Sequence, residues 1–198
     1  MARISYIDEA SLAPEARAEW ERLRKSRGGA VPGHLYQLLA HSPRLMARWA
    51  AFAGTVRGYD PDGPVKLDAR SRELAILEVA RCTGADYEWA AHLPIARREG
   101  VTEKQVAALL REDPEPFSER DNALLAYAAE STRKVQVADD TFAALGEHFD
   151  ERQILELTVA IGFYNCVARV LQALAIDLEP GMMGIPSSAA AQKTQSPR

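Results

Sequence analysis

Cysteine is scarce in this sequence, and its scarcity is the first constraint on the class of protein. Two cysteines, Cys82 and Cys166, occur in 198 residues, which is too few for a disulfide framework and typical of a reducing compartment. Apolar runs are scarce as well: the first ten residues hold no signal-like apolar core, and no apolar run approaches membrane-spanning length. We therefore expect a cytoplasmic protein with no membrane partner.

The sequence also lacks an excess of positive charge and any nucleotide-binding motif. The chain holds 24 Lys and Arg against 28 Asp and Glu, a net charge of -4, and no basic cluster longer than three or four residues. A nucleic-acid partner is therefore not expected. The sequence contains no G-x-G-x-x-G, no phosphate loop, no G-x-S-x-G elbow and no H-E-x-x-H. The sequence therefore holds none of the motifs of a dinucleotide cofactor site, a phosphate-binding loop or a zinc protease.

The sequence is rich in helical periodicity. No segment alternates with strand period long enough to indicate a sheet, so we expect an all-α fold of about seven to nine helices. The helices should form a single domain over residues 1–186, followed by a disordered tail over residues 187–198. Caps and breakers predict helices at about 14–26, 34–41, 43–58, 68–83, 85–100, 102–111, 118–134 and 150–176. The helix at 85–100 should kink or begin a new segment at Pro94. A further short helix should be capped by Asp139 or Asp140 and end near His148.

Residues 72–100 carry ionisable side chains on otherwise apolar helix faces. Glu73 shares a helical row with Ile76 and Leu77, and Glu88 and His92 lie one turn apart on the next helix. A carboxylate is rarely buried unless it is paired or used. Four interpretations are open: a structural Glu–His hydrogen bond between helices, an acid–base unit, a three-ligand metal site, which would have the minimum number of ligands, and surface exposure of Glu88.

The last predicted helix is apolar nearly all round, which places it in the core or in an oligomer interface. One polar row interrupts it, and this row could line a pocket or pair with another subunit. Arg169 in that row suits a substrate carboxylate, or equally a carboxylate across an oligomer interface. Cys166 is predicted to be an inert core residue. The polar row is Thr158, Asn165, Arg169 and Gln172.

The spacing from Glu73 to His92 resembles the signature of the carboxymuconolactone decarboxylase superfamily, which includes the alkylhydroperoxidase D proteins. The peroxidase branch carries a Glu, a Cys-x-x-Cys pair, and a His four residues after the second Cys. Here the Glu falls on Glu73 and the His on His92, whereas Ala85 and Glu88 stand at the two Cys positions. Two segments, Tyr87-Glu88-Trp89 and Gly162-Phe163-Tyr164-Asn165, resemble a branch of the superfamily without the dithiol. The resemblance covers roughly residues 30–178.

This resemblance implies an alkylhydroperoxidase D-like helical fold, a homo-oligomer, and no metal. The first function hypothesis is a cofactor-free lyase or isomerase that performs decarboxylation or proton transfer on a small organic acid or lactone. The alternatives are an alkylhydroperoxidase-like antioxidant, in which Cys82 would act alone, and a non-catalytic oligomeric binding protein. Arg81 could lower the pKa of the Cys82 thiol, but a buried, unreactive residue is favoured. We expect catalytic roles for Glu73, His92 and Glu88, and substrate contacts from Tyr87, Trp89, Tyr164, Asn165 and Arg169.

Overall fold

The computed structural model describes residues 1–26, 29, 31–59 and 63–183, and within these residues the chain forms nine α-helices and no strand. The all-α prediction is confirmed. The predicted tail over residues 187–198 lies outside the described residues, as does the end of the predicted domain. The helices are α1 Pro14–Ser26, α2 His34–Leu39, α3 Pro43–Val56, α4 Ala69–Thr83, α5 Asp86–Arg98, α6 Glu103–Arg111, α7 Glu119–Lys134, α8 Asp139–Gly146 and α9 Glu151–Ala173.

The central element is α4, which is buried along almost its whole length. Asp68 begins it by accepting a hydrogen bond from the backbone N–H of Ser71, and Gly84 ends it in the left-handed region at φ 66°. Residues 71–81 are all buried, because α5, α7 and α9 pack around them. Any charged side chain on this helix must therefore find a partner inside the core.

The longest helix is α9, which is long and apolar enough to cross a membrane, with a mean hydropathy of 1.6 in its most apolar window. The expectation that no apolar run approaches that length is wrong. Inside this fold 44% of the window is buried, and α9 packs against α3, α4, α5, α7 and α8, as a core helix of a helical domain does. Cys166 is exposed, so its predicted burial is wrong for the single chain, because it lies on a side of α9 that these helices leave open.

The structure decides two details of the predicted helices. Of the kink or new segment predicted at Pro94, the new segment does not form, because α5 continues through the proline. Leu93 and Ala96 are buried in the core, and this packing outweighs the one backbone hydrogen bond that a proline removes. The cap of α8 is Ala138, so neither Asp139 nor Asp140 is the capping residue; both lie in the first turn, where carboxylates suit the helix dipole.

Residues 174–183, here named the C-terminal strap, follow α9 and fold back against the start of the chain. The Asp177 carboxylate accepts hydrogen bonds from the backbone N–H of Ala2 at 3.0 Å and from the Tyr6 hydroxyl at 3.2 Å. His34 Nδ1 lies 2.8 Å from the Asp177 carbonyl oxygen, and its ring stacks on Tyr6. These contacts hold the strap, which ends in a short 3₁₀ helix at Pro180–Met182, beside the start of α2.

Candidate active site

A cavity of about 240 Å³ lies between α2, α3, α5, α9 and the C-terminal strap. Its wall combines aromatic and aliphatic side chains with a few polar groups, which is the usual composition of a small-molecule site. The apolar part includes Leu35, Tyr36, Trp49, Phe163, Val167 and Met182. The polar part consists of Arg57, Tyr87, Glu88, His92, Tyr164 and Glu179.

At the cavity wall, α4 and α5 place a carboxylate against an imidazole. His92 Nδ1 lies 2.7 Å from Glu73 Oε2, and the two residues are 7% and 2% exposed. Because an ionised carboxylate can only accept, Nδ1 donates in this contact, and in a neutral imidazole Nε2 is then the acceptor on the ring that lines the cavity. Arg72 Nε lies 3.9 Å from the other Glu73 oxygen, so a positive charge faces the carboxylate. This is the geometry of an oriented acid–base pair.

Glu88 is a buried carboxyl group with no partner among the described residues. It is 2% exposed, and both of its oxygens are buried without a hydrogen bond. Burial raises its pKa well above the ordinary value, which favours the neutral carboxylic acid. Glu88 lies one helical turn before His92 and lines the same cavity. A neutral acid beside an imidazole provides a proton donor and a proton acceptor at one site.

Tyr164 and Arg57 supply hydrogen-bond donors to the cavity. The Tyr164 ring meets the His92 ring edge to face, with centroids 4.8 Å apart, and burial raises the pKa of its hydroxyl well above the ordinary value. The hydroxyl therefore remains a donor. Arg57 follows α3, where its Nε donates to the Ala53 carbonyl oxygen at 3.1 Å. The terminal nitrogens of Arg57 make no hydrogen bond within the described part of the chain, and donors of this kind suit a carboxylate or enolate oxygen.

Two polar residues of the cavity, Arg57 and Glu179, were not predicted from the sequence. Arg57 continues the row of Trp49 and Ala53 at spacings of four residues, so a charged side chain on the inner face of α3 was a signal that could have found it. Glu179 lies in the strap, which has no periodicity, and no local pattern marks it. Its carboxylate accepts hydrogen bonds from the Tyr87 hydroxyl and from the backbone N–H of His34.

Three predicted substrate-binding residues do not line the cavity. Trp89 is fully buried in the hydrophobic core, on the far side of α5 from the neighbouring cavity residues. Asn165 turns toward α7, where its amide nitrogen donates to Thr132 Oγ1 at 3.0 Å. Arg169 donates to the backbone and side-chain oxygens of Asn165 at 2.8 and 2.9 Å. The structure therefore brings Tyr87 and Tyr164 to the site. Asn165 instead bonds to α7, and Arg169 is exposed on α9 and bonds to Asn165.

The Cys82 thiol lies outside the cavity wall and is not activated. Its sulfur donates to Glu78 Oε1 at 3.4 Å, while the Arg81 guanidinium pairs with Glu78 and Glu112. Burial, followed by the Glu78 charge, raises the pKa of the thiol to about 12 and outweighs the lowering by Arg81. Among the described residues, no three His, Cys, Asp or Glu side chains are placed to hold a metal ion, so the three-ligand arrangement considered from spacing is not formed.

Comparison with known proteins finds similarity to the family whose signature the spacing from Glu73 to His92 resembles. The sequence model of the carboxymuconolactone decarboxylase family matches residues 43–130, which include Glu73, Glu88 and His92. A peroxidase-related protein from Silicibacter sp. TM1040 superimposes with a TM-score of 0.75 at 20% identity, over 92% of this chain and 93% of that one. The alkylhydroperoxidase AhpD core from Ralstonia eutropha JMP134 gives a TM-score of 0.73 at 19% identity, over 91% and 94%.

A third solved structure, the debrominase Bmp8 in complex with 2,3,4-tribromopyrrole, gives a TM-score of 0.73 at 15% identity, over 98% of this chain and 99% of that one. At these identities the structures show a shared fold alone. Among curated proteins, none matches the sequence significantly. The family match contains the acid–base pair, and the structural matches extend the same fold over nearly the whole chain. Residues 43–130 are thus similar to the carboxymuconolactone decarboxylase family, and the chain shares the fold of the alkylhydroperoxidase AhpD core and the peroxidase-related protein.

Proposed function

We propose that this protein is a cofactor-free lyase or isomerase that moves a proton on a small organic acid or lactone. The observation that carries the proposal is the 2.7 Å contact between Glu73 and His92 at the wall of a cavity that also holds the unpaired Glu88. An oriented imidazole and a neutral carboxylic acid can remove a proton from one carbon and return a proton to another.

The proposed proton transfer balances in bonds and protons without a cofactor. In this proposal the substrate anion lies against Arg57 and the Tyr164 hydroxyl, and His92 Nε2 accepts a proton from a substrate carbon. The electron pair of the broken C–H bond moves onto a substrate oxygen as an enolate, which the donors of Arg57 and Tyr164 stabilise. Neutral Glu88 then donates its proton to a different carbon, and transfer of the first proton from His92 to Glu88 restores both groups.

Decarboxylation requires a different use of the same residues. The C–C bond to the carboxylate breaks, CO₂ leaves, and the electron pair stays on the substrate until Glu88 protonates the carbon. Water then returns a proton to Glu88. Because a carboxylate held by Arg57 is stabilised in the ground state, decarboxylation of that same group would be slowed. Proton transfer is therefore the reaction that the site supports better.

The antioxidant alternative has little support from this site. Peroxide reduction by a relative of the peroxidase branch needs a thiolate, and Ala85 and Glu88 occupy the two dithiol positions. Cys82 is held as a thiol. The second candidate is a non-catalytic binding protein, since a Glu–His hydrogen bond between α4 and α5 could also serve packing alone.

A ligand screen followed by proton NMR in D₂O distinguishes the enzyme from the binding protein. Thermal shift with a panel of organic acids and lactones identifies compounds that stabilise the protein, and NMR then follows each stabiliser with the protein. The proposal predicts that at least one stabiliser shifts a double bond, loses CO₂ or takes up deuterium at carbon. His92→Asn should bind the same compound without changing it. Stabilisers that all remain unchanged with stoichiometric protein would contradict the proposal and favour the binding protein.

A further inference from the structure

We propose that the cavity selects an acid with a single negative charge that also carries a hydrogen-bond donor, such as a hydroxy acid, and that it rejects dianions. This inference rests on the site described under the proposed function and goes beyond it by naming the substrate class. Two opposite charges in one cavity, Arg57 and Glu179, carry the inference.

Glu179 is held in place by three neighbours. Its Oε1 accepts hydrogen bonds from the backbone N–H of His34 at 3.0 Å and from the Tyr87 hydroxyl. A Cβ at Gly33 would lie 2.1 Å from the same oxygen, and because the φ of Gly33 is an ordinary -64°, glycine is needed there for the close approach alone. Glu179 Oε2 makes no hydrogen bond in the part of the chain that the structure describes. One oxygen is therefore fixed, and the other can accept from a ligand.

Arg57 presents the complementary charge. Its Nε is engaged by the Ala53 carbonyl oxygen, and its guanidinium lies over the Tyr59 ring, 5.5 Å from the ring centroid. The terminal nitrogens make no hydrogen bond or ion pair among the described residues. No ion pair joins Arg57 to Glu179 within those residues, although both line the same cavity of about 240 Å³. Within the described residues neither side chain faces an opposite charge, which is unfavourable in a partly desolvated space. A ligand that brings an anion to Arg57 and a donor to Glu179 satisfies both residues.

Selection by charge follows from this arrangement. A carboxylate bound at Arg57 leaves Glu179 to accept from a hydroxyl or ammonium group, in a charge-assisted hydrogen bond. A second carboxylate on the same ligand would instead meet the Glu179 carboxylate and be repelled. The aromatic side chains of Tyr36, Trp49 and Phe163 line the cavity, and their ring faces and edges suit contact with an aromatic ligand body.

Three benzoates that differ at one ring position test the inference by isothermal titration calorimetry at neutral pH. Benzoate carries hydrogen at that position, 3-hydroxybenzoate a donor, and isophthalate a second carboxylate. We expect 3-hydroxybenzoate to bind about tenfold more tightly than benzoate, and isophthalate to bind at least about tenfold more weakly than benzoate. Arg57→Gln should weaken the binding of all three compounds by about tenfold or more.

Glu179→Gln is the decisive variant, because its amide oxygen still accepts from His34 and Tyr87 while the charge is removed. We expect isophthalate to bind it as tightly as benzoate does, and the advantage of 3-hydroxybenzoate to fall to about threefold or less. Glu151→Gln, an exposed carboxylate in the first turn of α9, should leave all three affinities unchanged. The wild-type ranking retained in Glu179→Gln overturns the inference, as does the absence of binding of any of the three compounds at about 10 mM.

The two proposals fail separately. Turnover in the D₂O assay together with an unchanged ranking in Glu179→Gln overturns the selection by charge and leaves the proposed function standing. The expected ranking without turnover of any acid or lactone overturns the proposed function and leaves the selection standing.

Discussion

The protonation of Glu88 is controlled by burial and not by a charged partner. Its pKa in the folded protein is raised above the ordinary value of 4.5, so the folded protein holds this proton more tightly than the unfolded chain does. The stability linked to this group is therefore fully present below the pKa of the unfolded chain and is lost as pH rises through the pKa of the folded protein.

Glu88→Gln should remove that dependence on pH, because the amide does not titrate. Relative to wild type, we expect the free energy of unfolding of the variant to increase as pH rises above about 4.5. Urea denaturation at a series of pH values measures the difference. Glu151→Gln serves as the control, since it removes an exposed carboxyl at the start of α9. A difference between wild type and Glu88→Gln that stays constant over the whole series would contradict the assignment.

Cys82 should be chemically silent in the folded protein. At pH 8 its thiol stays protonated, because burial and Glu78 raise its pKa to about 12. In a Cys166→Ala background, where Cys82 is the remaining cysteine, we expect a thiol reagent to label the protein only after urea is added. We also expect negligible turnover of organic hydroperoxides with a dithiol reductant. A robust peroxidase rate that is lost in Cys82→Ala would place the antioxidant alternative first.

At the scale of elements, the strap depends on its contact with the start of α2. Gly33→Ala would place a Cβ 2.1 Å from Glu179 Oε1, so Glu179 must move. We expect faster amide exchange over residues 178–183, unchanged exchange in α4, and a loss of stability of about 1–3 kcal/mol. Hydrogen exchange with mass spectrometry measures each segment. Gly181→Ala is the matched control. Gly181 lies in the strap itself, and nothing lies within 4 Å of an added Cβ there. Identical exchange in both variants would show that Gly33 does not hold the strap.

The helix ends could be predicted from the sequence because their causes are local. Asp68, Thr102, Ser118 and Asp150 each accept a hydrogen bond from a backbone N–H three residues ahead, and each residue type signals that role by itself. Pro94 shows the limit of such local signals, because the packing of α5 decides that the helix continues.

Which way a side chain faces was harder to predict than where a helix ends. Spacing within α4 and α5 put Glu73 and His92 on core faces, and the structure brings them together. On α9 nearly every face is apolar, so no stripe indicates the orientation of Asn165 and Arg169. Asn165 donates to Thr132 on α7, and the exposed Arg169 donates to Asn165. Glu179 reaches the cavity through the contact of Asp177 with Tyr6, which is 171 residues away in the chain, and no local pattern encodes such a contact.

At the scale of the whole molecule, one side of α9 remains uncovered. Leu155 and Val159 are 63% and 38% exposed there, and an apolar helix face of this kind is typical of a protein–protein contact. We predict a homo-oligomer in solution, with a mass by light scattering that is a multiple of 21.8 kDa. Leu155→Lys combined with Val159→Lys should lower the mass toward that of one chain, with unchanged helix content.

Phe142→Lys is the control for this experiment, because Phe142 is also a large exposed apolar residue, at 50%, but lies on α8. Its substitution should leave the mass unchanged. A wild-type protein that runs as a monomer at micromolar concentration would contradict the prediction.

The acid–base role of Glu73 and His92 is tested most directly by the turnover of Glu73→Gln and His92→Asn on the substrate that the D₂O screen identifies. Glu73→Gln keeps the shape and an acceptor for His92 Nδ1 but removes the titratable acid. We predict a melting temperature that is little changed or raised, with turnover reduced roughly 10²–10⁴-fold. A purely structural pair would instead lose on the order of 1–3 kcal/mol of stability and keep its rate per folded molecule. Turnover near the wild-type rate in both variants would contradict the acid–base role.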